Sequence, residues 1–507
     1  MTPMALPPVP ATAAHLLAAA AAEAPQAEAL ACGDRRLRYA DYAGCVGAFA
    51  AELQSLGAAG ERVATVLPNS LEACVAQFAV QAAGAQLAPL NPLYTDRELG
   101  EILADAAPRI AIVDETLADR VGPLARAAGA QTVIVVGGSS RRLDAARPEA
   151  LPDPPDPGAP ALLQYTGGTT GRGKGVNLTH RAIMTNVAQR EALLPTHRGR
   201  ERVLCVMPLF HSYAMAMGLY LAAYARSALV VLPRYQPQEV LAVIARERIT
   251  IFPGSPTLFV GLMAHEAFTR TDWRTVHTCY SGAAPLPEDT LRRWRDAVGA
   301  PVYEGYGQTE AGPVLSFNPA GGPVKPGSVG VPVPETDLQI VDVETGVRVL
   351  GVGERGEIRA RGPQLMTGYR NRPRESAEAL REGWLYTGDI GEFDADGYLF
   401  IRDRKKDMAI VGGYNVYPRE VDEVLFMHPA VADAAAVGAP DAYRGEVIRA
   451  FVVLRAGARA TPEDLVAHCR ANLAPYKVPA SIECLPALPK TTVSKTDKQA
   501  LRARAAG

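Results

Sequence analysis

Eleven residues, Tyr165-Thr-Gly-Gly-Thr-Thr-Gly-Arg-Gly-Lys-Gly175, constrain this chain more than any others. They follow an apolar run, Leu162 to Thr166, that reads as a buried strand, and they precede Thr179, a residue suited to capping a helix. A strand, a glycine-rich loop and a helix in that order belong to α/β layers. Glycines let backbone N–H groups approach an anion, hydroxyls donate to it, and Lys174 adds charge, so the loop suits a polyphosphate. Gly168 to Lys174 fits the start of a P-loop, but Gly175 stands where a P-loop carries its magnesium-binding Ser or Thr. A second glycine pattern, Gly351-Val-Gly-Glu-Arg-Gly356, leads into the strand Glu357 to Ala360 and not a helix, so it reads as a hairpin turn.

The surrounding sequence carries the same architecture. Val63 to Leu67, Ile110 to Val113 and Val133 to Val136 are strand candidates separated by Ala/Leu-rich helical stretches, which predicts parallel α/β layers. Leu151 to Pro160 is a Pro-rich linker. From Val329 to Arg361 short alternating runs such as Leu338 to Val341 predict β-hairpins. The charge run Arg402 to Asp407 marks a domain boundary, placed after residue 403, and strand–helix alternation resumes beyond it with Ala450 to Leu454 as a strand. The predicted fold class is therefore α/β: a large N-terminal domain (1–403) of layered α/β subdomains plus a β-hairpin-rich subdomain, then a small mobile α+β domain (404–507).

With 507 residues, the chain exceeds one ordinary domain of about 150. The 52 basic and 54 acidic residues leave a net charge of −2, which excludes partnership with nucleic acid driven by a basic surface. Seven cysteines, none in a zinc-like spacing, read as reduced thiols in a cytoplasmic protein. The Ala-rich stretch Ala11 to Ala22 has no basic residues ahead of it and is not a secretory leader, and no apolar run reaches 18 residues, so no transmembrane segment is expected. Peripheral membrane contact and a homodimer stay open.

The glycine-rich loop resembles the phosphate-binding motif of the adenylate-forming superfamily, the acyl-CoA synthetases among them. Further resemblances follow in the family's order: Tyr306-Gly-Gln-Thr-Glu310 to the adenine and magnesium motif, Tyr386-Thr-Gly-Asp389 to the ribose motif, and Asp403-Arg-Lys-Lys-Asp407 to the hinge. Gly412 to Glu420 resembles the thioester motif and Pro489 to Lys495 the C-terminal lysine motif. The resemblance implies ATP, Mg2+ and CoA as cofactors. It implies an ATP site from Thr166, Gly168, Thr169, Thr170, Gly171, Lys174, Gly282, Ala283, Ala284, Glu304, Gly305, Tyr306, Gly307, Thr309, Asp389, Arg404 and Lys495, with Thr166 and Glu310 nearest the metal. Asp389 would accept from ribose hydroxyls, a charge-assisted contact of about 1.5–3 kcal/mol. Lys495 would offset the charge that builds when a carboxylate attacks the α-phosphate. Gly412, Gly413 and Tyr414 would face CoA, where absent side chains leave room for a pantetheine arm, with Lys406 as hinge. Three positions depart from the family's usual residues: Ser494 for Gly, Gly167 for Ser or Thr, and Gly173 for Pro.

Met207 to Gly218 resembles the segment beside the acyl pocket, implying His211 as a catalytic residue near the carboxylate and His211, Tyr213, Met217 and Gly305 as pocket residues. No Asp follows where amino-acid adenylation domains hold an amine, and no Arg stands there for a second carboxylate. An unpaired charge in such a pocket is costly, so an uncharged apolar tail is expected. The C-terminal block from Gly413 to Val421, with Pro440 to Glu446, looks most like bacterial medium- and long-chain fatty acid ligases. Gly307 to Val314 also looks like ligases that activate hydroxycinnamates. Two further readings are an enzyme that loads a carrier protein and a noncatalytic acyl or nucleotide sensor; the presence of Lys495, Glu310 and Asp389 argues against the sensor.

Overall fold

The computed structural model describes residues 5–166, 173–282, 284, 286–411, 414–441, 444–491 and 495–506. Among them, two mostly parallel sheets lie on either side of a common helical layer. The first has seven strands in the order Gly368–Tyr369, Lys174–Thr179, Pro160–Thr166, Gln86–Pro89, Arg62–Val66, Ile110–Asp114 and Thr132–Val136. The second has nine; its parallel centre runs Val302–Tyr306, Thr278–Ser281, Ile251–Gly254, Arg202–Cys205, Ala228–Val231 and Glu28–Cys32. The expected strands are all present, within a residue or two at their ends except Ala450–Leu454, which begins five residues earlier at Gly445.

The helix Leu71–Ala82 explains how the sheets are joined. Every residue in it is buried. Its apolar residues belong to one core with strands of both sheets, such as Val63 and Leu87 on one side and Val203 and Leu229 on the other, while its buried Glu72, Gln77 and Gln81 are bonded to Arg35, the Leu209 carbonyl and the Tyr220 hydroxyl. Its start is set by Ser70, whose hydroxyl accepts from the Ala73 N–H. A separate core lies on the outer face of the nine-stranded sheet, where Trp294 is fully buried with its ring edge-on to Phe259 at 4.6 Å.

The predicted hairpin region forms an antiparallel sheet, Asp337–Val341, Gly356–Arg361, Trp384–Phe393 and Leu380–Arg381, with Leu399–Arg404 paired to the long strand. Gly353, at φ +77°, turns the chain where the glycine pattern predicted a hairpin. Beyond it, strands Ala409–Val411, Tyr414–Val416, Val431–Asp441, Gly445–Leu454 and Ser481–Cys484 build another sheet, packed with helices Pro418–Phe426, Pro462–Asn472 and Lys498–Ala506. No described helix is long and apolar enough to cross a membrane.

One local expectation needs correction. Thr179 does cap the helix His180–Leu193, accepting from the Ala182 N–H, but Lys174 is not in a loop. It opens the strand Lys174–Thr179, which returns antiparallel to Pro160–Thr166 with Thr166 opposite Lys174. Glycine abundance argued for loop; the partner strand supplied hydrogen bonds that no local pattern shows.

Candidate active site

The parallel strands end on one side of the molecule, and the predicted residues follow those ends: Thr166, then the segment leading to His211, then Gly282, then Tyr306 to Glu310. This is where open α/β sheets place ligand crevices. The long antiparallel strand brings Asp389 to the same place. Gly388, at φ +72°, makes the turn that lets it do so. The Tyr306 hydroxyl donates to Asp389 Oδ2 at 2.7 Å, and Arg404, paired across the strands, places Nε 3.5 Å from Oδ1. Burial pushes the Asp389 carboxyl above the usual range, and Arg404 and Tyr306 pull it back.

A second acid sits beside the first. Glu310 accepts from the Tyr369 hydroxyl at 2.8 Å, and the Lys174 ammonium lies 4.9 Å from the centre of the Tyr369 ring. Burial raises the Glu310 carboxyl, with Lys174 opposing. Thr166 Oγ1 reaches only the Lys174 carbonyl, at 3.5 Å. A carboxylate and a hydroxyl are hard oxygen donors, the kind magnesium takes, so Glu310 and Thr166 fit a magnesium site. Two buried polar atoms nearby, Gln308 Nε2 and Ser281 Oγ, have no partner among the described residues. Buried orphans are expected where a ligand completes the hydrogen bonding.

Gly307 allows the backbone here to close up: a Cβ at that position would lie 1.9 Å from the Pro313 carbonyl oxygen. Gly305 lies against the Phe317 ring and Gly282 against the ring of Tyr213, whose hydroxyl donates to the Gly254 carbonyl at 3.2 Å. Thr309 and Ser212 place their hydroxyls 3.4 Å apart. Ala284 is exposed at the rim. Gly168, Thr169, Thr170, Gly171, Ala283, Gly412 and Gly413 lie outside the described residues.

Lys495 comes from the C-terminal sheet's side of the crevice. Its backbone N–H donates to Thr491 Oγ1, while its ammonium has no hydrogen-bond or ion-pair partner among the described residues. Burial depresses it to about 8, Arg404 adds to the effect, and Asp389 resists it. The ammonium in turn lowers His211, already pushed down by burial, to about 4. Neutral His211 caps the short helix Ser212–Ala214, its Nδ1 accepting from the Tyr213 N–H at 3.2 Å. Cation, neutral imidazole and carboxylate thus meet across two domains' worth of chain.

Two predicted residues point elsewhere. The Glu304 carboxyl accepts from the Leu286 N–H at 3.1 Å; burial pushes it up to about 7, with Leu286 and Arg419 resisting. It faces the helix Pro418–Phe426 rather than Tyr306 and Asp389. Met217 is fully buried in the core. An apolar cavity of about 10 Å³, barely room for one water, starts instead at Ser212 and is walled by Ile183, Val187, Met215, Ala216, Tyr220 and Pro313. The lining residues Ser212, Met215, Ala216 and Tyr220 share one helix face at i, i+3, i+4, i+8 spacing, and Met217 falls on another. Sequence reasoning also missed Tyr369, which meets Glu310 only because Gly368–Tyr369 pairs with Val176 and Asn177.

Tyr414 is exposed on the outer face of the C-terminal sheet, its ring stacked on Tyr476 at 4.6 Å. Lys406 is exposed in the turn after Leu399–Arg404. Between the hairpin sheet and the C-terminal sheet, Arg355 is hydrogen-bonded to Glu420, which also takes Lys477; Arg355 Nε is 2.9 Å from Glu392.

Comparison with known proteins agrees with this geometry. The sequence pattern of the AMP-binding enzyme family matches residues 17–370, and that of the AMP-binding enzyme C-terminal domain matches 420–495. A long-chain-fatty-acid–CoA ligase of Bacillus subtilis is 36% identical, covering 95% of this chain and 92% of its own. A feruloyl-CoA synthase of an Amycolatopsis species is 37% identical over 95% of this chain and 96% of its own. The crystal structure of ATP-bound MatB from Rhodopseudomonas palustris superposes with a TM-score of 0.91 at 31% identity, covering 97% of this chain and 98% of that one. With both sequence patterns matched and its relatives aligned along nearly their whole length, the chain belongs to the AMP-binding enzyme family.

Proposed function

We propose that this chain is an ATP-dependent acyl-CoA ligase. It activates a medium- to long-chain fatty acid as an acyl-adenylate with release of pyrophosphate, then transfers the acyl group to CoA with release of AMP. The observation that carries the reading is the Lys495 ammonium, without a hydrogen-bond or ion-pair partner among the described residues, near Asp389, Arg404 and His211. In this assignment Asp389, held by Tyr306, accepts from the ribose, and Arg404 adds a second contact. Lys174, Thr166, the residues between them and the backbone about Gly282 and Gly307 receive the phosphates and the base. Lys495 offsets the charge on the α-phosphate oxygens as the carboxylate attacks. Mg2+ at Glu310 and Thr166 supplies charge neutralisation on the phosphates. Neutral His211 closes the carboxylate end of the acyl pocket without adding a competing charge, and the tail enters past Ser212, where flexible Met215 yields room.

In the same reading residues 1–403 and 404–507 are the two domains, Lys406 is the hinge, and the second half-reaction turns Gly412, Gly413 and Tyr414 toward the crevice in place of Lys495. The enzyme is cytoplasmic, meets membranes only peripherally when collecting a lipid, and works as a homodimer; vesicle flotation and light scattering test the last two. AMP release across short, medium, long and aromatic acids, with and without CoA, tests the core of the proposal. Release that peaks on medium to long fatty acids and yields a CoA thioester supports it. A peak on hydroxycinnamates favours the aryl alternative, which the feruloyl-CoA synthase relative makes the second reading. AMP release without any CoA thioester favours a carrier protein as acceptor.

A further inference from the structure

The opposite edge of the nine-stranded sheet carries a cluster that the ligase chemistry does not use. Three neighbouring strands, Arg202–Cys205, Ile251–Gly254 and Thr278–Ser281, begin there side by side. The residues just before them are Glu201, Thr250 and His277, and His197 lies one turn ahead of Glu201. Glu201 is buried, with 1% of its side chain exposed, yet two histidines converge on it from separate segments. His197 Nδ1 is 3.1 Å from Oε1 and His277 Nε2 is 2.9 Å from Oε2. All three donors lie within 4.8 Å of one another, and both rings reach solvent, at 65% and 40% side-chain exposure.

The two histidine–carboxylate spacings, 3.1 and 2.9 Å to the two oxygens of Glu201, are compatible with a metal's ligand shell, and a bound ion would draw the three donors, now within 4.8 Å, around itself. Zinc binds nitrogen and oxygen at about 2.0–2.2 Å, so two ligands at right-angled to tetrahedral positions stand about 3.0–3.5 Å apart. The groups behind the donors are also in place. The Glu201 carboxylate is oriented by the His197 N–H at 2.8 Å and the Thr250 hydroxyl at 2.5 Å, and His277 Nδ1 is engaged by Thr278 Oγ1 at 2.9 Å, which leaves Nε2 to face the carboxylate. Such partners fix the tautomer and direction of metal-binding histidines. We propose that His197, Glu201 and His277 form an open three-ligand site for a divalent transition ion of the zinc type, tying the start of Arg202–Cys205 to that of Thr278–Ser281 across the strand between them. Two imidazoles select against magnesium, so the site is chemically separate from Glu310. It also lies a strand's length, about 13 Å for four residues, from the reacting groups, so it acts on stability and not on the chemical step.

The test uses the full chain stripped with chelator, in a Cys484→Ser background because Cys484 is an exposed thiol. Co2+ is titrated by visible absorption and Zn2+ by calorimetry and thermal midpoint, against His197→Ala and His277→Ala variants. The expected result is one equivalent bound, affinity at least tenfold weaker in each variant, a Zn2+-dependent rise in midpoint lost in both, and no competition from Mg2+. His197→Ala alters a largely exposed side chain and keeps the test valid if His277→Ala fails to fold. Absence of stoichiometric Co2+ or Zn2+ binding, or equal affinity in the parent and His197→Ala proteins, overturns the proposal and leaves the cluster a hydrogen-bonded clasp.

Discussion

Two lysines three residues apart near the end of the chain, each half-buried, are held in opposite ways. Lys498 lies inside the C-terminal layer with Asp422 3.5 Å away and Asp403 and Asp407 near, and although burial works against it these acids keep its ammonium above the ordinary range. Lys495 reaches the crevice with no hydrogen-bond or ion-pair partner among the described residues and is depressed to about 8. The same contrast divides the two sides of the site. On the N-terminal side Asp389 and Glu310 are each already hydrogen-bonded to a tyrosine; on the C-terminal side the Lys495 ammonium, with Asp389 acting on it only at longer range, has no hydrogen-bond or ion-pair partner among the described residues. A buried cation left unpaired is costly, and that cost marks Lys495 as a group built for a ligand rather than for the fold.

Removing the cation should break the contrast most sharply. Lys495→Ala is expected to slow carboxylate-dependent exchange of pyrophosphate into ATP by about 10²–10³-fold, with CoA attack on preformed acyl-adenylate nearly unchanged; equal loss in both steps would refute the division of labour. Asp389→Ala, which strips the prepared side of its acceptor, should raise the KM for ATP by about 10–100-fold, the equivalent of a charge-assisted hydrogen bond, as read from initial rates. The pH profile probes the unpaired ammonium itself. Since the protonated form is the active one and burial lowers its pKa, kcat/KM for adenylation should fall as pH rises through about 8, and Lys495→Arg should remove that limb. Arg355→Ala should have the smallest effect. Loss of its contact with Glu420 is worth about 1 kcal/mol at a partly exposed site, so the adenylation step should slow about fivefold while the thioester step does not.

Much of the fold was readable because buried strands announce themselves as short apolar runs and the helix start at Thr179 as a polar cap. The site was readable where its residues are consecutive, as in Tyr306 to Glu310 or Tyr386 to Asp389. It was not readable where position depends on distant pairing. Tyr369 joins Glu310 through a strand contact with residues nearly two hundred positions earlier in the chain. Glu304 turns away because its hydrogen-bond donor, the Leu286 N–H, sits on another loop. Met215 rather than Met217 lines the small cavity because it shares a helix face with Ser212, Ala216 and Tyr220. His197, Glu201 and His277 are three unremarkable residues until the sheet sets their strands side by side.

The stacked rings of Tyr414 and Tyr476 bear on the timing of catalysis. An aromatic side chain standing largely in solvent would ordinarily sample several rotamers and have to settle each time something docked on it. Here that settling was completed once, when the chain folded. If this face is the one that meets the thiol carrier, every turnover inherits a ready-made landing surface, and the interval between activation and acyl transfer is governed by how fast the domain swings rather than by how long its surface takes to organise.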